Sequence, residues 1–189
     1  MGKIVISENV TLDGVVQDPA GREGFRLGGW VGRIGEKGRD QAARVLLEEN
    51  LRAEALLLGR RSYEFLAAVW PSRNGALADR LNGMPKYVVS STIVDPDWSN
   101  TTVLRGDVLN EVATLKQELD GEILVPASFR LWHALLQRDL VDELRLMIYP
   151  VLLGAGERLF GEAGEESPVR LVDVETVDDL ARLTYEVLR

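Results

Sequence analysis

The sequence predicts an α/β protein with one open sheet that is mainly parallel and ends in an antiparallel edge. Strand and helix patterns alternate between residues 3 and 138 of the 189, which is typical of parallel strands joined by helices. The end of the chain differs, because residues 144–150, 169–174 and 183–188 form three extended patterns with no long helix between them. No repeat, low-complexity stretch or linker interrupts the chain, so residues 1–189 are expected to form a single domain.

The first predicted element is a strand at residues 3–7, where β-branched residues alternate with others. A glycine-rich segment follows, and eight of the 18 glycines lie between residues 14 and 38. Glycine weakens helices and strands alike, so we expect a long loop here. Long loops within compact domains often carry function.

Helices and strands then alternate. Apolar residues at helical spacing predict a helix at 40–52, with Asp40 as a candidate N-cap. The continuous apolar run at 55–58 predicts a strand that is buried on both faces and ends at Gly59, before a helix at 60–69. The later elements are strands at 87–89, 102–104 and 123–125 and helices at 108–119 and 128–138.

Composition and charge exclude several kinds of function. The chain has 22 Lys and Arg residues against 30 Asp and Glu residues, and this net charge of -8 disfavours binding to nucleic acid or anionic membranes. It has no cysteine and one histidine, which removes disulfides, thiolate nucleophiles and metal sites built from cysteine or several histidines. The first ten residues have only a short apolar run and no small-residue cleavage site, so we expect no signal peptide, and nowhere do 18 uninterrupted apolar residues occur. We therefore expect a cytoplasmic protein that acts on a small molecule and holds no metal.

The turn after the strand at 55–58 carries the most informative polar residues. Arg60 and Arg61 begin a helix, although a helix N-terminus already carries partial positive charge. A bound phosphate would make this placement favourable, because helix N–H groups, two guanidinium groups and the Ser62 hydroxyl would face it. The alternative is that both arginines are solvated or form weak ion pairs with nearby glutamates, and spacing alone does not decide between the two.

A second turn, at residues 125–130, lies where such a sheet could also bind phosphate. Ser128 begins the following helix, whose N–H groups could face a pyrophosphate. The alternative is simple helix capping, which is favoured because serine is a common N-cap residue and this turn lacks glycine.

Four other residues are site candidates with simpler alternatives. Asp13 follows the first strand, where ligands bind in open α/β folds, but Asp-Gly is also an ordinary turn. Asp40 either caps its helix or faces a cleft, and capping is favoured. Trp30, in the glycine-rich loop, is the tryptophan best placed to contact a ligand, although all four tryptophans are most simply core or cleft-wall residues. His133 is expected to be a surface or partly packed residue rather than a proton donor.

Residues 139–156 contain neither a nucleophile–base pair nor a phosphate-binding loop, so this segment is interpreted as structural. Its apolar, β-rich character predicts a dimer surface, because flat or unpaired strand faces invite association. A homodimer is therefore expected.

Four motifs occur in an informative order: Leu12-Asp13-Gly14, residues 58–64, residues 87–91, and the strand at 123–125 with its helix. The order of these motifs resembles that of the dihydrofolate-reductase-like superfamily, and the resemblance extends over about residues 3–188. It is most similar to the branch related to the reductase domain of the bifunctional riboflavin-biosynthesis deaminase-reductase, in which a stretch like residues 140–154 recurs. The resemblance implies a three-layer α/β/α fold with a mixed sheet of about eight strands. It also implies NADPH as hydride donor and a small pyrimidine- or pterin-like substrate.

The resemblance further implies roles for particular residues. Arg60, Arg61 and Ser62 match the segment that holds the 2′-phosphate of NADPH, which would account for the cations at the helix start. Asp13 matches an acidic residue near the substrate and nicotinamide, where it would serve catalysis and substrate binding. Asp40 is an approximate counterpart of the substrate carboxylate in dihydrofolate reductases. The residues implied in cofactor binding are Gly59, Arg60, Arg61, Ser62, Ser90, Ser91, Ala127, Ser128 and Phe129.

The turn at Pro126-Ala127-Ser128 departs from the family pattern, which has glycine there. Pro126 has no N–H to donate, and Ala127 adds a Cβ where the cofactor pyrophosphate approaches the backbone. Two alternatives to a reductase therefore stay open: a binding protein that kept the fold but lost efficient hydride transfer, and a purely structural dimer.

Overall fold

The computed structural model describes residues 1–160 and 166–189, and it confirms the α/β fold. The strands are β1 (Lys3–Thr11), β2 (Ala53–Gly59), β3 (Lys86–Val89), β4 (Thr101–Leu104), β5 (Glu122–Pro126), β6 (Glu143–Tyr149), β7 (Val169–Val177) and β8 (Leu180–Val187). The helices are α1 (Glu36–Arg52), α2 (Arg60–Ala67), α3 (Ala76–Gly83), α4 (Val108–Glu118) and α5 (Phe129–Leu136), with a 3-10 helix at Trp30–Arg33.

Within the described residues, eight strands form one mixed sheet in the order β4-β3-β2-β5-β1-β6-β8-β7. Strands β4, β3, β2 and β5 are parallel neighbours. Strands β6, β8 and β7 pair antiparallel, which confirms the predicted edge at the end of the chain. Because parallel strands end at the same edge of a sheet, the turns after β2, β3 and β5 lie along one edge, where ligands bind in such folds.

The chain divides into two compact units, each made of two separate segments. Unit 1 comprises Met1–Ile6 and Leu46–Asp142, and unit 2 comprises Ser7–Val45 and Glu143–Arg189. Unit 1 holds the parallel strands β2 to β5 and helices α2 to α5, whereas unit 2 holds β6 to β8 and the glycine-rich loop. All the predicted cofactor residues belong to unit 1, and all the predicted substrate residues belong to unit 2.

The core of unit 1 forms around β2. Leu56, Leu57 and Leu58 are fully buried, as predicted for a parallel strand covered on both faces. Tyr63 of α2 joins the same cluster, and its hydroxyl accepts a hydrogen bond of 3.1 Å from the backbone N–H of Trp98. This anchor holds the start of α2 at the carboxyl end of β2.

Lys86, at the start of β3, is a fully buried cation in unit 1. Its Nζ donates to the carbonyl oxygens of Leu81 at 2.7 Å and Met84 at 2.8 Å, and it lies 4.5 Å from the centroid of the Trp98 ring. Burial lowers the pKa of Lys86 to about 8. The ammonium group thus bonds to carbonyls at the end of α3, where a cation is favourable.

The core of unit 2 forms around two aromatic side chains. Trp30 is fully buried and packs edge-on against Tyr149, with 5.2 Å between ring centroids. Val45, Met147, Val177 and Leu180 complete the buried cluster. The 3-10 helix at Trp30–Arg33 therefore anchors the glycine-rich loop, which was expected to contain no regular element.

Two helix predictions are corrected by the structure. Helix α1 begins at Glu36, so Asp40 lies inside the helix and is not its N-cap. The helix includes Gly38, where a Cβ would lie 3.3 Å from Asp178 Oδ2, and glycine permits this close approach. Helix α3 was not predicted, because it spans only eight residues and directly follows a segment rich in turn residues at 71–75, although its own sequence consists mostly of helix-favouring residues.

The segment predicted to form a dimer surface contains β6, which is an interior strand rather than an edge. Strand β6 lies between β1 and β8, and six of its seven residues are buried. The exposed apolar residues at the sheet edge belong to β7 instead.

Candidate functional site

Two turns of unit 1, after β2 and after β5, are hydrogen-bonded to each other. Ser128 Oγ accepts a bond of 3.1 Å from the backbone N–H of Gly59 and donates to Ser62 Oγ at 2.9 Å. Ser62 Oγ in turn donates to the carbonyl oxygen of Ala127 at 2.7 Å. We call these three residue pairs the serine clamp. Because β2 and β5 are parallel neighbours, the starts of α2 and α5 lie at the same edge of the sheet. The serine clamp links these two helix starts to each other.

Ser128 does not cap α5 in the way the sequence predicts. It occupies the N-cap position, but its hydroxyl makes no bond to the first turn of α5. Gly59 occupies the N-cap position of α2 and has no side chain to offer. Within the described residues, neither helix start therefore has a side-chain cap, which leaves the positive end of each helix dipole uncompensated by a side chain.

Ala127 adopts a backbone conformation that glycine favours. Its φ angle is +50°, in the left-handed region, and the residue is exposed. Such angles are uncommon for residues with a Cβ and carry a cost in strain. Alanine therefore occupies a position of this turn at which glycine would adopt the same backbone conformation without strain.

Arg60 and Arg61 differ in their partners. Arg60 Nη1 bonds to the Glu64 carboxylate at 3.0 Å and 3.1 Å, so the simple ion-pair alternative describes this residue. Arg61 is exposed, and its guanidinium makes no hydrogen bond or ion pair within residues 1–160 and 166–189. Arg61 is thus the cation at this helix start that is available to a ligand.

The end of β3 contributes Ser90 and Ser91 to the same edge. Ser90 is buried, and its Oγ accepts bonds from the backbone N–H groups of Thr92 at 3.2 Å and Ile93 at 3.1 Å. Ser91 is exposed. The Ser90 hydroxyl therefore stabilises its own turn, and Ser91 is the serine that presents its side chain to solvent.

Phe129 and His133 lie on α5, the helix that follows the second turn. Both are half-buried, and their rings stack edge-on with 6.4 Å between centroids. His133 also packs against Trp132 at 4.3 Å, so the prediction of a partly packed histidine is confirmed. Arg130 lies over the Phe129 ring at 5.6 Å. Phe129 thus remains the one apolar ring among the predicted cofactor residues.

Asp13, in unit 2, is held by several donors. Its carboxylate accepts bonds from the Thr11 hydroxyl at 2.6 Å, from Leu153 N–H at 3.2 Å and from Gly154 N–H at 2.8 Å. Burial raises the pKa of Asp13, but these hydrogen bonds outweigh it and lower the pKa below its ordinary value of 3.8. Asp13 is therefore an ionised acceptor that ties the turn after β1 to residues 153–154.

The glycine-rich loop is organised by Asp18, which the sequence analysis did not single out. The buried Asp18 carboxylate accepts bonds from the N–H groups of Arg22 at 2.6 Å and Phe25 at 3.1 Å. Its carbonyl oxygen accepts from Gly21 at 3.1 Å and Gly29 at 2.9 Å. One aspartate among many glycines was the only sequence signal for this role.

Trp30 is placed in the core of unit 2 and not at a ligand surface. It has no exposed surface, and its Nε1 donates to the carbonyl oxygen of Gln17 at 2.9 Å. The prediction that Trp30 contacts a ligand is therefore replaced by the core alternative. Asp40 is exposed on α1, so its carboxylate is accessible to solvent.

Within residues 1–160 and 166–189, no group of three or more His, Cys, Asp or Glu side chains is arranged to hold a metal ion. No helix in the same part of the chain is long and apolar enough to cross a membrane.

The fold is that of the dihydrofolate-reductase-like proteins. Dihydrofolate reductase from Enterococcus faecalis, solved as a complex with NADP(H), superposes with a TM-score of 0.63 at 15% identity, over 100% of this chain and 98% of that one. A pyrimidine reductase-like protein from Corynebacterium diphtheriae superposes with a TM-score of 0.70 at 15% identity, over 100% of this chain and 92% of that one.

The sequence comparison assigns the chain to a smaller group of proteins than the fold does. The family model of the RibD C-terminal domain matches residues 2–182, and the chain belongs to this family. The uncharacterized protein YyaP of Bacillus subtilis is 27% identical over 128 residues, which cover 65% of this chain and 68% of YyaP. The resemblance found in the order of the sequence motifs is thereby confirmed.

Proposed function

We propose that the chain is a cytoplasmic NADPH-dependent reductase that acts on a small pyrimidine- or pterin-like heterocycle. One observation in unit 1 carries the proposal. The serine clamp joins two helix starts that lack side-chain caps, and Arg61 beside them is exposed and has no partner in the described part of the chain. Membership of the RibD C-terminal domain family supports the choice of a reductase.

The parts of this arrangement suit the parts of NADPH. The guanidinium of Arg61 offers a bidentate partner for the 2′-phosphate, a group that NADH lacks. The starts of α2 and α5 favour anionic oxygens, because their first N–H groups carry partial positive charge. Ser91 and Phe129 add an exposed hydroxyl and an apolar ring next to these elements.

In this proposal the cofactor supplies the hydride, and the chain binds and orients the reactants. Asp13 accepts hydrogen bonds from donor groups of the substrate or of a water molecule, because its lowered pKa keeps it ionised near neutral pH and unsuited to donating a proton. Asp40 is a second candidate contact for the substrate. The glycine-rich loop, organised by Asp18, would exclude water from the reaction.

Nucleotide binding to the whole chain tests the proposal. We expect tryptophan fluorescence to report tighter binding of NADPH than of NADH, and Arg61→Ala to weaken NADPH binding about tenfold to a hundredfold while NADH is unaffected. Arg138→Ala is the matched control, since it removes an exposed cation beyond the other end of α5 and should change neither affinity. No response to either nucleotide at millimolar concentration would remove the reductase proposal.

A second candidate is a nucleotide-binding protein without efficient hydride transfer. The observation that favours it is the turn at Pro126 and Ala127, which lacks one N–H and carries an exposed Cβ. NADPH that binds but is not oxidised with any of a panel of pyrimidines and pterins would favour this candidate. Oxidation of NADPH with any member of the panel would exclude it.

A further inference from the structure

Strand β7 is an exposed edge strand. It lies at the end of the sheet order next to β8, and eight of its nine residues are exposed. Four of the exposed residues are large and apolar: Val169 (43%), Leu171 (50%), Val172 (57%) and Val174 (58%). Long exposed edge strands with apolar side chains are sites at which another strand adds to the sheet.

The pairing with β8 assigns each β7 side chain to a face. Arg170 lies opposite Glu186, with which it forms an exposed ion pair, and Asp173 lies opposite Thr184. Leu171 lies between them on the other face, opposite Tyr185. Side chains alternate along a strand, and the irregularity between Leu171 and Asp173 leaves Val172 without a partner. Arg170 and Asp173 are therefore on the same face, one ladder step to either side of Leu171.

We propose that β7 pairs antiparallel with β7 of a second copy of this chain, about a two-fold axis through Leu171. In this register each Arg170 faces the partner's Asp173, and Leu171 faces the partner's Leu171. Val169 faces the partner's Val174, and the two members of each pair lie on the same face of the joined sheet. The charged residues of one copy are thus complementary to the same residues of the other copy, as an isologous two-fold interface requires.

Neighbouring registers are less favourable. A two-fold axis through Asp173 would place two aspartates directly opposite each other, and an axis through Arg170 would do the same with two arginines. Like charges at directly opposite positions destabilise a strand pair. The axis through Leu171 brings opposite charges together and aligns the apolar side chains, so the proposal commits to that register.

Charge reversal tests the register. We expect sedimentation of the wild-type chain to show a dimer, and Arg170→Asp and Asp173→Arg each to raise its dissociation constant about tenfold or more. Mixing the two variants should restore the dimer, because in a mixed dimer position 170 of each copy again faces an opposite charge at position 173 of the other. Arg73→Asp, an exposed charge reversal in unit 1, is the control and should leave the dimer unchanged.

Three results would overturn the proposed pairing of β7 with β7. A wild-type chain that remains monomeric, single variants that dimerise like the wild type, or a mixture that fails to dimerise although both variants are folded by circular dichroism would each contradict it. If either variant fails to fold, hydrogen exchange of the wild type decides. The amides of residues 169–174 should become more protected as protein concentration rises, and protection that does not depend on concentration would overturn the proposal.

Discussion

The turns of unit 1 and the loops of unit 2 use their polar side chains differently. In unit 1 the hydroxyls of Ser62 and Ser128 bond across two turns, and the guanidinium of Arg61 is left exposed beside them. In unit 2 the carboxylates of Asp13 and Asp18 already accept hydrogen bonds from backbone N–H groups. In unit 1 a cation is thus left without a partner among the described residues, whereas in unit 2 these carboxylates hold the loops in place.

The largest expected effect comes from Asp18→Ala in unit 2. The substitution removes the acceptor for two loop N–H groups and places alanine at a φ of +47°. We expect a loss of about 3 kcal/mol in the free energy of unfolding, measured by urea denaturation. Asp95→Ala, an exposed aspartate of unit 1, should change it by less than about 0.5 kcal/mol. Equal losses in the two variants would contradict a structural role for Asp18.

Asp13→Asn should have the next largest effect, because it replaces an ionised acceptor by a neutral amide. We expect a loss of about 2 kcal/mol in unfolding free energy at pH 7. The folded-state pKa of Asp13 is lowered, so its contribution is present above its ordinary value of 3.8 and is lost as the pH falls through the lower folded-state value. Urea denaturation should therefore show a constant difference between pH 7 and 5 that shrinks below 3.8. A difference that grows in acid would refute this assignment.

Ser128→Ala should break the serine clamp in unit 1. The backbone N–H of Gly59 loses its acceptor, and Ser62 loses a donor, for a cost of about 1 kcal/mol in unfolding free energy. NADPH affinity should also fall, because the two helix starts are no longer held together. Ser72→Ala removes an exposed hydroxyl with a bond of 3.3 Å and should affect neither quantity. Unchanged nucleotide affinity in Ser128→Ala would show that the clamp is only structural.

The smallest effect is expected from Ala127→Gly. Glycine relieves the left-handed strain but increases the entropy of the unfolded chain, so the unfolding free energy should change by less than about 0.5 kcal/mol. Removal of the Cβ should nevertheless strengthen NADPH binding in a fluorescence titration. Ala113→Gly, the same change inside α4, should cost about 1 kcal/mol without affecting NADPH. Weaker NADPH binding in Ala127→Gly would mean that Ala127 itself supports the cofactor.

The sequence predicted the elements that depend on local pattern. The apolar run of β2 and the extended patterns of the last three strands are local signals, and the structure contains these strands. Helix α3 was missed because it is only eight residues long and follows a segment rich in turn residues at 71–75. Helix α1 starts before its predicted cap because packing at Gly38 overrides glycine's low helix propensity.

The residues of the candidate site could be predicted from the sequence, but their hydrogen-bond partners could not. Residue type and position at a strand end suggested Arg61, Ser62 and Ser128. The sequence does not show which polar groups find partners, because those partners are distant in the chain: Ser128 lies 69 residues from Gly59, and Asp13 lies 141 residues from Gly154. The burial of Trp30 has the same origin, since Tyr149 is far away in sequence.

The ratio of the dissociation constants for NADH and NADPH in the wild-type chain and in Arg61→Ala tests the central claim most directly. If Arg61 binds the 2′-phosphate, calorimetry should show that NADPH binds the wild type about tenfold or more tightly than NADH, and that the ratio falls to about one in the variant. A ratio of one in the wild type, or a ratio that the substitution leaves unchanged, would contradict the account.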